Sequence, residues 1–259
     1  MTEKRDSPNN DDPPVARARN LIARTTIKQR EETAKALSEA KAKISAADVL
    51  KLAHRALRRA EEVIAEVLEL VPPPRPIACK ANCPWCCHIR LTATPPEVLL
   101  VLDYIAENFT SGEKTALERK VANIDAFTRG LDGEDRARLR LPCPLLKDGS
   151  CSVHSVRPLS CRAVVSVDVA ACKRAYESHM EEPVPQHELQ ILAANGIGYG
   201  ILAGMADADF PVEDAEMNAA LALGLADREI GQRWLRGEPA FTPAALTKNK
   251  GADPVNYLK

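Results

Sequence analysis

At 259 residues the chain is long enough for one large domain or two small ones, with a substantial core in either case. A formal net charge of -1 gives no global pull towards nucleic acid or an anionic membrane, and aromatics at 4% argue against base-stacking platforms. Hydrophobic residues at 45% and charged residues at 27% suit a soluble globular protein, and plentiful alanine and leucine tilt it towards a mainly α fold.

Residues 1–20 read as a disordered tail, polar and without the apolar segment of a secretory signal. No apolar run further along is expected to reach the ~18 residues that span a bilayer. The default compartment is therefore the reducing cytoplasm, where eight cysteines serve as ligands rather than bridges. Residues 21–71 form a helical arm. Leu21, Ile22, Ile27 and Leu37 give its first helix a thin apolar stripe, and Ser45 with Asp48 makes a capping box for the second. From Val49 to Leu68 apolar residues recur at helical spacing, a face suited to packing or to a homo-oligomer. Pro72-Pro73-Pro74 stops that helix.

A cysteine-cluster domain is expected over 77–242. Thr94-Pro95-Pro96-Glu97 is a helix start, with Pro95 at the first turn and Glu97 closing a capping box. A further helix over about Gly112 to Arg129 turns Leu117, Val121, Ile124 and Phe127 inwards and stops at Gly130. Asp148-Gly149 predicts a tight hairpin between Cys143 and Cys151. Arg157-Pro158 turns a loop towards Cys161, and Cys172 falls on a helix. In the last third, Gly196, Gly198, Gly200 and Gly204 fit close helix packing better than a phosphate cradle, since no Lys-Ser/Thr follows. Residues 243–259 read as a tail.

The chemistry lies in the cysteines. Cys79, Cys83, Cys86 and Cys87 crowd one short segment, and Cys143, Cys151, Cys161 and Cys172 follow. Thiolates are soft donors that suit zinc and iron–sulfur clusters. A C-x3-C-x2-C loop folded on itself delivers several, and later loops complete the coordination. All eight are candidate ligands, for zinc or iron as an ion or an iron–sulfur cluster, and neither their number nor their spacing chooses. His88 and His154 lie beside the thiols. Lys80, Arg90, Arg157 and Arg162 are placed to offset thiolate charge, and Trp85 to shield the metal. The architecture expected is a helical domain wrapped around a cysteine-rich centre of loops and a short hairpin.

Three segments together resemble the YkgJ-like cysteine-cluster family of zinc- or iron-chelating domain proteins. They are Cys79-x3-Cys83-x2-Cys86-Cys87, then Pro142-Cys143-Pro144-Leu145-Leu146 through Gly149 and Cys151, then Arg157-Pro158-x-x-Cys161-Arg162. The terminal Trp234-Leu235-x-Gly237-Glu238-Pro239-x-Phe241 is also similar to tails in that family. His154 departs from the pattern, standing where members carry an aromatic. The resemblance implies metal binding; a related branch of flagellin lysine N-methylases adds an iron–sulfur and S-adenosylmethionine reading. Against an enzyme stands the lack of Gly-x-Ser-x-Gly, His-Glu-x-x-His or a dinucleotide glycine fingerprint. The expectation is a thiolate metal-binding protein, structural or metal-handling, with an iron–sulfur enzyme or a redox sensor as alternatives.

Overall fold

The computed structural model describes residues 12–38, 44–80 and 82–246. Ten helices and four two-residue strands lie among them, so the fold is mainly α. Helix α1 spans Pro13–Ser38 and thus begins inside the stretch expected as a tail. Its prolines occupy positions whose N–H groups have no intrahelical acceptor, while Val15 and Ala18 are buried. Two small apolar residues in a polar stretch are too weak a periodic signal to announce a helix. Residues 1–11 and the expected tail from Thr247 to Lys259 lie outside the described residues.

Helix α2, Ala46–Leu70, starts at the expected capping box: the Asp48 N–H donates to Ser45 Oγ at 3.3 Å. Its apolar stripe, Val49 through Val67, is buried within the chain. The face that suggested an oligomer seam is therefore already covered. Strand β1, Thr92–Ala93, leads into α3, Pro95–Asn108. Glu97 Oε2 accepts from the Thr94 N–H at 2.9 Å and the Thr94 hydroxyl at 2.7 Å. Helix α4, Ser111–Thr128, buries Leu117, Val121, Ile124 and Thr128. Phe127 was expected on that face; it is 71% exposed, because Thr128 takes the next position on the inward stripe. Gly130 follows at φ 80°, the left-handed stop expected.

Helix α5, Gly133–Arg138, precedes a hairpin of β2, Leu146–Lys147, and β3, Ser150–Cys151. Asp148 at φ 51° and Gly149 at φ 78° make its two-residue turn, and the register pairs Leu146 with Cys151. Two short helices follow, α6, Leu159–Ala163, and α7, Val169–Glu177. Cys161 accordingly sits on a helical turn rather than in an irregular loop.

Helix α8, Glu188–Asp207, is the central element, packed on α1, α2 and α6. It is long and apolar enough to cross a membrane by length and composition, contrary to expectation, yet 67% of its most apolar window is buried within the fold. Its glycines explain the packing on α1. A Cβ at Gly196 would meet Thr26 Oγ1 at 2.6 Å, and one at Gly200 would meet the Thr26 carbonyl at 2.7 Å. At Gly204 it would collide with the Arg30 carbonyl. Backbone approach, not a phosphate, accounts for these three glycines. The facing side of α1 buries Thr26, Gln29 and Thr33, while Ile27 is 48% exposed. Gln29 donates to Thr33 Oγ1 at 3.0 Å and accepts from Arg59 of α2, so the buried amide is satisfied.

Strand β4, Ala215–Glu216, pairs antiparallel with β1 and leads into α9, Met217–Ala226, and α10, Ile230–Leu235. Trp234 and Phe241 are fully buried, and Trp234 packs on Phe210 at 5.2 Å between centroids. One continuous apolar core runs from Val15 to Ala244, so the expected division between the arm and the cysteine-cluster domain does not divide the core.

Candidate metal centre

The segment after α2 runs extended into the first thiols. The Ala78 N–H donates to the Ser166 carbonyl at 2.8 Å, and the Ser166 N–H donates to Cys79 Sγ at 3.3 Å. Asn82 adopts φ 63° and accepts from Ser150 Oγ at 2.6 Å, which pins this loop to the hairpin turn. A 3-10 turn over Trp85–His88 then carries Cys86 and Cys87. Its end is fixed by the Cys143 N–H, which donates to the Cys87 carbonyl at 2.6 Å.

Trp85 packs on Tyr176 of α7 at 5.5 Å, and His88 lies on the same ring at 4.7 Å. These aromatic contacts hold the helix of Cys172 against the Cys86–Cys87 turn.

Within the hairpin, the backbones of Leu145 and Val153 favour the thiolates of Cys143 and Cys151, against the larger opposing effect of burial. Ser152 clamps the hairpin base, its N–H and hydroxyl both bonding the Leu145 carbonyl, at 2.9 and 2.8 Å. Cys161 is positioned by α6, whose first N–H, from Leu159, donates to Glu97 Oε1 at 2.7 Å. Arg162, 4% exposed, donates to the Ser155 carbonyl at 2.9 Å and the Arg157 carbonyl at 3.1 Å, and pairs with Glu61 of α2.

Six thiols, of Cys79, Cys86, Cys87, Cys143, Cys151 and Cys161, line one cavity of about 350 Å³. Cys83 and Cys172 lie outside its lining, and all eight cysteines are free thiols. Burial pushes Cys79, Cys151, Cys161 and Cys172 up, and Cys143 up to about 11. Cys86 goes the other way, lowered to about 7 chiefly by a hydrogen bond from Cys87, with help from Arg157. The same bond pushes Cys87 up.

Among the described residues, no group of three or more His, Cys, Asp or Glu side chains is gathered closely enough, as placed, to hold a metal ion. Neutral sulfurs have nothing to draw them to the ~2.3 Å from a common point that zinc requires. Closure would need the cation itself. The donor chemistry nonetheless fits a soft metal: the lining holds six thiols against one carboxylate, that of Glu216, with Lys80, Arg136 and Arg157 to offset thiolate charge.

Of the basic residues singled out in the sequence, Arg157 faces Cys161 and Cys151, and Lys80 lines the cavity. Arg90 is turned away, donating to the Leu131 carbonyl at 3.1 Å. His154 lines the cavity and accepts from Arg157. Two contributors carried no signal in the sequence. Arg136, 3% exposed, lies amid ordinary surface charge in α5, yet donates to the His88 carbonyl at 3.3 Å. Ser166, 2% exposed, gives its N–H to a sulfur through the backbone, which any residue type could do. Comparison with family models, with curated proteins and with solved structures finds no match.

Proposed function

We propose that the chain is a metal-binding protein that takes up zinc or iron, the latter as an ion or an iron–sulfur cluster, through the thiolates of Cys79, Cys83, Cys86, Cys87, Cys143, Cys151, Cys161 and Cys172. Its role is structural or metal-handling. One observation carries this reading: six thiols from three separate stretches of chain line a single cavity, and Cys79 receives the Ser166 N–H. Such donors stabilise a thiolate by spreading its charge and orient the sulfur before a metal arrives. The resemblance to the YkgJ-like family points to the same chemistry.

Elemental analysis of anaerobically purified protein tests it. Stoichiometric zinc in a colourless sample, or iron in a brown one absorbing near ~400 nm, is expected. Cys151→Ser and Cys161→Ser should each lose metal and melt at lower temperature. Structural zinc carries ~10–16 kcal/mol of apparent binding free energy in small domains. Metal-free wild-type protein that also refuses added zinc would end the proposal.

A further inference from the structure

We infer that a second cleft, between α6 and α8, binds a small apolar α-amino acid, with its ammonium group on Asp214 and its carboxylate on Arg90. The cleft holds about 380 Å³ and no cysteine lines it, although Leu91 and Val164 form a wall common to it and the thiol cavity. The inference stands or falls independently of the metal reading.

Its floor is marked by the one glycine among the four singled out in α8 that packing leaves unexplained. A Cβ at Gly196, Gly200 or Gly204 would collide with α1, but one at Gly198 would meet only Leu159 Cδ1, at an ordinary 3.8 Å. Glycine weakens a helix interior, so a place where neighbours do not demand it asks for another reason. Gly198 lies on the cleft face of α8 with Ile191, Asn195 and Leu202, at helical spacing. What its missing side chain leaves open is the cleft itself.

Two opposite charges share this space. Asp214 and Arg90 both line the cleft, and Asp214 feels Arg90, yet no ion pair joins them. Arg90 commits Nη1 to the Leu131 carbonyl at 3.1 Å and keeps further N–H donors. Glu97 also lines the cleft, but its oxygens are taken by Thr94 and Leu159. A ligand with both an ammonium and a carboxylate group satisfies both charges at once. A plain amine would leave the guanidinium unused, and a plain carboxylate would face Asp214 with nothing to offer it. Leu159, Ala163, Ile191 and Leu246 make the remaining wall apolar, which selects an aliphatic or aromatic side chain.

Isothermal titration of the full-length chain with L-leucine and with L-phenylalanine tests the inference. Saturable one-to-one binding of at least one of them is expected. The matching acids without an ammonium group, 4-methylpentanoate and 3-phenylpropanoate, should bind about tenfold more weakly or not at all, because a charged hydrogen bond is lost. Gly198→Leu should fill the cleft from its floor and abolish binding while the melting temperature holds, since leucine favours a helix more than glycine does. Asp214→Asn should weaken binding about tenfold. Absence of binding by both amino acids overturns the inference, as does equal binding of the acids that lack the ammonium group. Unchanged affinity in a folded Gly198→Leu chain would overturn it as well. The analogue series needs only the wild type, so it decides the matter even if a variant fails to fold.

Discussion

Glu97 governs the placement of Cys161 although it touches no sulfur. One carboxylate oxygen closes the capping box of α3 and the other accepts the Leu159 N–H that starts α6. Burial pushes this carboxyl above its ordinary range, and nearby Asp214 pushes it further. The sign follows from linkage. A carboxyl raised in the folded state contributes its full stability below the ordinary range near ~4.3 and loses it as pH rises through the raised value. Glu97→Gln keeps one acceptor but sets an amide N–H₂ against the Thr94 N–H, at a cost of about 1–3 kcal/mol. Urea midpoints of the wild type and Glu97→Gln should therefore converge between pH 4.5 and 7.5. A gap that widens with pH would mean that this carboxyl gains on ionising inside the fold. Arg162→Leu makes a second case, since it leaves the Ser155 and Arg157 carbonyls without their donor and Glu61 without its partner. A loss of about 2 kcal/mol is expected, measured by chemical denaturation of the metal-free chain. Single residues were unevenly legible. The cysteines announce themselves by clustering, but Arg136 and Ser166 act through a main-chain carbonyl and a main-chain N–H, and side-chain patterns do not encode such contacts.

At the scale of elements, the seam between α1 and α8 offers the sharpest prediction. Gly200→Ala sets a methyl 2.7 Å from both the Thr26 carbonyl and Gln29 Cβ, where backbone cannot yield. Overpacking of this kind costs about 1–3 kcal/mol, and thermal unfolding should show it. Gly112→Ala is the control: nothing lies within 4 Å of its new methyl, and helix propensity favours alanine. Equal melting temperatures for Gly200→Ala and wild type would contradict the packing account. Helix starts proved readable because a capping box is a local code, as at Ser45 and Thr94. The inner face of α1 was legible only in part: Leu37 is buried, and Leu21 and Ile22 pack against the core, as the stripe predicts, but Ile27 is exposed and the glycine backbone of α8 admits Thr26, Gln29 and Thr33, which no apolar pattern marks. Phe127 misled for a related reason, since a large apolar residue at the end of a helix can sit one step off the buried stripe.

On the scale of the whole molecule, the helices and the thiol-bearing loops draw on one core. The C-terminal anchor of Trp234 and Phe241 belongs to the same apolar cluster as Val153 and Val156 beside the hairpin. Trp234→Ala should thus cost about 3–5 kcal/mol and loosen the hairpin from a distance. Faster alkylation of Cys143 and Cys151 in the metal-free variant would report it, and unchanged thiol reactivity in a clearly destabilised protein would argue that the two regions are uncoupled. The mainly helical class was legible from composition. The docking of α1 on α8 was not, because the two helices lie more than 150 positions apart in the sequence.

That separation has a consequence for biosynthesis. A ribosome releases α1 long before it has made α8, its main packing partner, and in the interval α2 is the nearer of its two large partners in sequence. Nascent chains stalled before Glu188 should be cut by protease within residues 13–38, and chains stalled well beyond Asp207 should resist, because a helix made early docks fully only when a late one arrives.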